Sequence, residues 1–304
     1  MALLRNLIWT TCLSGLLLSC NSSEKETLAL RTANPSKSES VTTRTLSEDF
    51  KNYWYAGTAE ITSYALSQER YGELREGTAV NIFVTEDFLP KVQVKAGRPS
   101  PNTIPVLKLN SIKKYLTGIY PYSVMTSSFS PVRTKDHALK VTHSMQEWCG
   151  QVYMQLNHDQ NFKIQSHSYF EGEADQEIVL PKTLLESDLW STIRINPEEL
   201  PMGELTILPS FEYFRMSHQP ISPHTATANL VQGDSISTYT LSYMDLNREL
   251  KIYFSSSFPY TIERWEEKHA NGLTTTAEKL KRMRSAYWSK NDNKHLSLRD
   301  SLGL

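Results

Sequence analysis

The chain has 304 residues, 39% of them hydrophobic, with 32 Lys and Arg against 33 Asp and Glu, a formal charge of −1. That balance, with no basic block interleaved with aromatics, argues against nucleic acid as a partner and against a strongly electrostatic membrane contact. The cysteines are Cys12, Cys20 and Cys149.

The first residues read as a targeting segment. Arg5 precedes an apolar run from Leu7 to Leu18, shorter than the roughly 20 residues of a membrane span. The run ends in Leu17-Leu18-Ser19-Cys20, which resembles the bacterial lipobox. The resemblance implies removal of residues 1–19, a diacylglycerol on the Cys20 sulfur and usually an acyl chain such as palmitate on its new amino group. The expectation is an anchor in the cell envelope, in the outer membrane rather than the inner. Cys12 is then lost and Cys20 lipidated, so Cys149 is a lone thiol and no internal disulfide forms. Residues 21–46 are rich in Ser, Thr, Lys and Glu and lack aromatics. They predict a flexible tether after Cys20, with a reach of roughly 25–30 Å, leaving 47–304 as the soluble domain.

In chain order the domain predicts strands at 59–71, 78–85, 106–109, 138–142, 145–156, 162–170, 205–216, 226–231, 237–243, 249–255 and 261–269. Val, Ile, Thr, Tyr and Phe dominate these runs. Gln232-Gly233-Asp234, Asn271-Gly272 and residues 157–160 supply turns. One helix is expected from Lys182 to about Ile193, and 277–288 reads as either helix or strand. The fold class is mostly β: one large antiparallel, strongly curved sheet or open barrel with one or two helices, with a two-sheet sandwich as the alternative.

The stretch 144–156, SMQEWCGQVYMQL, carries Cys149. Read as one strand, its even positions (Trp148, Val152, Met154, Leu156) are apolar and its odd positions (Glu147, Cys149, Gln151, Tyr153) polar. Pairing Leu156 with Phe162 places Cys149 opposite Tyr169 and diagonal to His167. A slip of two residues places it opposite His167. Three readings follow. Cys149 fills space on a covered polar face, or that face lines a binding concavity, or Cys149 is a nucleophile with His167 as its base. Glu147, Glu171 and Glu173 would oppose a thiolate there. In an extended chain Glu171, Glu173, Asp175 and Glu177 share a face that could hold calcium, or they form a solvated charged strand end. No recognised zinc, nucleotide or hydrolase motif occurs, and no cofactor or metal is expected.

Four stretches, 70–88 (RYGELREGTAVNIFVTEDF), 146–157 (QEWCGQVYMQLN), 166–175 (SHSYFEGEAD) and 209–218 (PSFEYFRMSH), resemble a family of uncharacterised lipoproteins of the Bacteroidetes. Members often carry the label septum formation inhibitor, taken from cytoplasmic nucleotide pyrophosphatases. The nearest match to that enzyme motif, Ser127–Arg133, lies mid-chain and lacks the acidic helix that should follow. No catalytic residue carries over.

The expectation is a lipid-anchored, non-enzymatic envelope protein. It would bind a lipid, a glycan or an envelope protein through Glu147, Cys149, Gln151, His167, Tyr169 and Glu171. The alternative is a thiol-dependent hydrolase or transferase using Cys149 and His167.

Overall fold

The computed structural model describes residues 42–304; the expected signal peptide, Cys20 and most of the tether lie outside the described residues. A short helix, α1 (Glu48–Trp54), opens the domain, capped by the Ser47 hydroxyl, which accepts from the Phe50 N–H. Next come β1 (Ala59–Arg70), β2 (Glu73–Leu89), β3 (Val94–Lys95), β4 (Ile104–Thr117), β5 (Tyr120–Pro131) and β6 (Lys140–Glu147). They lead to β7 (Gly150–His158), β8 (Phe162–His167), β9 (Gln176–Leu180) and β10 (Leu184–Leu185). The helix α2 (Glu186–Ile195) follows, then β11 (Gly203–Leu208) and a third helix, α3 (Phe211–Ser217). Five strands finish the sheet: β12 (His224–Val231), β13 (Ile236–Tyr243), β14 (Arg248–Ser255), β15 (Ile262–Lys268) and β16 (Thr274–Ser285).

All sixteen strands belong to one open sheet, in the order β10-β11-β12-β13-β14-β15-β16-β1-β2-β4-β5-β6-β7-β8-β9, with β3 beside β2. Every pairing is antiparallel except β10 with β11. That exception has a topological cause, since α2 is the crossover that lets two successive strands run the same way. The mostly β class and the single curved sheet agree with the sequence reading, and the sandwich is excluded.

Period-two burial drives the curl. In β13 and β14, Tyr239, Leu241, Tyr243, Arg248, Leu250, Ile252 and Phe254 are all buried, while their neighbours are not. Strands β4 and β5 lie far from β14 and β15 in sheet order, yet side chains of all four line one chamber. The sheet therefore wraps around α2, whose Leu189 and Ile193 join the main core. The two sheet edges meet through α3: Ile178 and Leu180 pack in one cluster with Leu185, Leu208, Phe211 and Phe214.

The turns at 71–72, 118–119, 148–149, 244–247 and 269–273 all lie at one end, here the loop end, with α3. The chain enters at the opposite end. There Thr43 bridges to Thr134, and Arg44 donates to Glu199 and to the Pro131 and Thr134 carbonyls. Residues 42–46, expected within the tether, are thus held by the fold.

Several expectations are corrected. The 205–216 run breaks at Pro209 into a strand and α3, because the Ser210 hydroxyl caps a helix whose Phe211, Phe214 and Arg215 turn inward. Strand β5 and most of β4 went unread, since their inward positions include Ser111, Lys113, Thr126 and Ser128. Residues 277–285 are strand.

Candidate binding cleft

Residues 145–156 are not one strand. They form the tip of the β6–β7 hairpin, with Glu147 opposite Gly150 and Trp148-Cys149 as the two-residue turn. The turn lacks the usual glycine or asparagine signal and is held by side chains instead. The Glu147 carboxylate accepts from the Cys149 N–H at 2.6 Å and from the Tyr169 hydroxyl at 2.7 Å. The Tyr169 ring lies where a Cβ on Gly150 would sit, 2.7 Å from its Cε1. Trp148, expected in the core, is 68% exposed, and Cys149 is an exposed free thiol.

The expected registers also fail. The pairing is Leu156 with Ile164 and His158 with Phe162, so His167 lies opposite Tyr153 and not beside Cys149. All the candidate registers keep Val152, Met154 and Leu156 on the apolar face, so parity alone could not choose between them. The His167 imidazole lies 3.2 Å from Asp175. The hydrogen bond to Glu147 pushes the Cys149 thiol upward, with slight desolvation and the carboxylate charge adding to it. Gln151 and Glu171 are exposed. Glu173 accepts from Ser168 and contacts His218, so the acids of 171–177 are dispersed. Among the described residues no group of three or more His, Cys, Asp or Glu is placed to hold a metal.

A concavity lies elsewhere, at the loop end. A cleft of about 430 Å³ opens between β1, α3 and the turns at 244–247 and 269–273. Its walls include Gln68, Glu69, Tyr213, Asp245, His269 and Asn271. Glu212, Arg248 and Glu267 form its floor and also line a smaller chamber of about 60 Å³ beneath, beside Trp190, Trp265 and Ser128.

Two ion-pair networks build that floor. Arg248 donates to both Glu186 oxygens at 2.5 and 2.8 Å and to Glu267 at 2.6 Å. The Tyr243 hydroxyl completes Glu186 at 2.7 Å. Across the floor, Lys113 donates to Glu212 at 2.8 Å. Burial alone would raise the Glu267 carboxyl, but Arg248, His269 and Lys113 hold it down at about 2. Glu267 is therefore ionised and paired with Arg248 at neutral pH.

Behind the floor a polar belt crosses five strands in register: Thr62, Asn81, Ser111, Thr126 and His143. Thr126 Oγ1 lies 2.9 Å from His143 Nδ1, while His143 Nε2, both Asn81 amide atoms and the Ser128 hydroxyl have no protein partner. Burial lowers the His143 imidazole to about 3, helped by the Lys113 and Arg215 charges, so it is neutral. Each unmatched buried polar group costs about 1–3 kcal/mol. Polar ligand atoms reaching the chamber would meet one such group in Ser128, which is only 2% exposed.

Sequence reasoning missed this site. Its members come from β1, β4, α2, α3, β14, β15 and two turns, and no local pattern unites them. The available signal was Lys113, which shares a β4 face with Leu107, Leu109 and Tyr115.

No family model matches the sequence, and no curated protein matches it either. Among solved structures the fold is similar to a β-barrel-like protein of the domain of unknown function DUF1849 from Brucella abortus. The TM-score is 0.47 at 8% identity, covering 75% of this chain and 98% of that one.

Proposed function

We propose that the protein is a non-enzymatic binding protein of the cell envelope, tethered through a lipid on Cys20, that takes a glycan into the loop-end cleft. The observation that carries the reading is the cleft's chemistry. Tyr213, Met216 and Leu246 offer apolar faces, while Gln68, Gln219 and Asn271 alternate with carboxylates. Hydroxyl-rich rings need both kinds of surface, and an acyl chain would strand the polar groups. Glu69, Glu212, Asp245 and Glu267 line the cleft against Arg248, with Lys113 paired to Glu212 beneath, and this excess of carboxylates disfavours an anionic ligand. The Cys149 hairpin lies outside the cleft, with its thiol raised and His167 out of register. Both observations weigh against a thiol-dependent enzyme. The lipobox and the four family-like stretches support the envelope assignment.

Trp190 and Trp265 line the chamber beneath the cleft floor, so a ligand reaching it should alter their emission. Titration with a panel of neutral and amino-sugar oligosaccharides should change tryptophan emission saturably, and Glu212→Gln should weaken the response. A flat response across the panel, with no binding by calorimetry, would remove the glycan reading.

A further inference from the structure

The end of the sheet opposite the cleft has a gap in its strand pairing. Strand β2 pairs with β1 as far as Phe83, opposite Glu60, and with β3 only from Phe88, opposite Lys95. Between those points residues 84–87 are paired on one side alone, by β4. The Asp87 carbonyl points away from β4, since it accepts from the Ala96 N–H at 2.8 Å. In an antiparallel strand the N–H and carbonyl of one residue point to the same side, and that side alternates along the chain. The Thr85 N–H and carbonyl therefore face the gap, and no backbone group among the described residues bonds them across it.

The gap opens as a pocket of about 350 Å³. The strand edge itself forms one wall, the loop from Lys95 to Pro99 another, and the rings of Tyr55 and Trp288 complete it. Tyr55 is 40% exposed and Trp288 51%, so solvent reaches the pocket. Glu86 adds an unmatched acceptor. Lys95 and Lys108 both donate to its Oε1, at 3.1 and 3.0 Å, while its buried Oε2 has no protein partner. The Glu86 side chain is 9% exposed, and the more mobile cap over it is Lys95, at 64%.

An open strand edge is a template for another strand. An extended peptide offers N–H and carbonyl groups at the spacing that the Thr85 backbone requires, with side chains alternating toward the flanking walls. An acyl chain offers neither group. The unpaired length is roughly 14 Å, the reach of about four extended residues. We propose that this edge is a second binding site, sharing no residue with the cleft, that takes a short extended peptide as an added strand beside β2. Threonine or lysine side chains on that strand would supply the donor that Glu86 Oε2 lacks.

The test uses the full chain and a blocked tetrapeptide, acetyl-Val-Thr-Val-Thr-amide, with relatives carrying Lys or Glu in place of Thr. At least one should bind saturably by calorimetry and slow hydrogen exchange across residues 84–87. Methylating the backbone nitrogens of that peptide should weaken it by about tenfold or more, because the donors to the strand edge are lost. A Cβ on Gly97 meets nothing within 4 Å, so Gly97→Trp should keep the parent melting curve while filling the pocket and abolishing binding. Equal affinity for the methylated and unmethylated peptides would overturn strand addition. Failure of the whole panel to bind at millimolar concentration would overturn the peptide site. Self-association of the chain that Gly97→Trp removes, without peptide binding, would overturn it as well and give the edge to a second copy.

Discussion

Glu60 on β1 and Arg194 on α2 form a bidentate pair, at 2.5 and 2.8 Å, inside the molecule, with Arg194 also over the rings of Trp54 and Phe83. At the other end of the same helix, Glu186 is paired as closely with Arg248. An acid in the first turn and a base in the last complement the helix dipole. The two pairs fix α2 along the axis of the curled sheet, and the upper one forms the floor of the cleft. Position of the helix and shape of the site are therefore one property.

The lower pair gives the first prediction. Removing one member of a buried pair leaves the other uncompensated, at a cost of about 3–5 kcal/mol. Glu60→Gln should lower stability by that order, as read from the denaturant midpoint at unchanged slope. A loss below about 1 kcal/mol would show that the pair is solvated.

Acid should destabilise the fold in two windows. His143 is held at about 3 against 6.5 in the unfolded chain, so the unfolded state binds the extra proton. Its contribution is complete above about pH 6.5 and is lost as pH falls toward 3. Glu267 is depressed to about 2 from 4.5, and its contribution is lost between pH 4.5 and 2. His143→Gln should flatten the stability profile between pH 6.5 and 4.5, and Glu267→Gln should flatten only the lower part. Profiles that superimpose on the parent would contradict both assignments.

The Cys149 thiol should be accessible yet slow to react. Glu147 raises it, so iodoacetamide should label it fully in alkali and poorly at neutral pH. Glu147→Gln should speed labelling at pH 8. A thiolate forming below pH 8 in the parent protein would revive the nucleophile.

Two glycines separate close packing from open space. A Cβ on Gly77 would fall 2.3 Å from the Lys114 carbonyl and 2.8 Å from Tyr115 Cβ, whereas one on Gly97 meets nothing within 4 Å. Gly77→Ala should therefore force β2 and β4 apart and cost about 1–3 kcal/mol. Gly97→Ala should be nearly neutral. Thermal denaturation of the two variants side by side decides it.

The class and curvature of the fold were legible because alternation is local. The burial of every second residue in β13 and β14 is written in their own order of residues, and so are the turns at 232–234 and 271–272. Polarity is also local, which is why the apolar face of β7 and β8 was assigned correctly. What failed was register and turn placement. Trp148-Cys149 reverses the chain through Glu147 and Tyr169, contacts that strand parity does not encode.

The cleft was beyond reach for a related reason. Lys113 and Glu212 stand 99 positions apart, and Glu186 and Arg248 stand 62 apart. Each reads alone as a surface charge. Sequence decided which residues could face inward, through a period of two. Only the closing curl of the sheet around α2 decided which charges meet, because desolvation forces them into pairs once they share an interior.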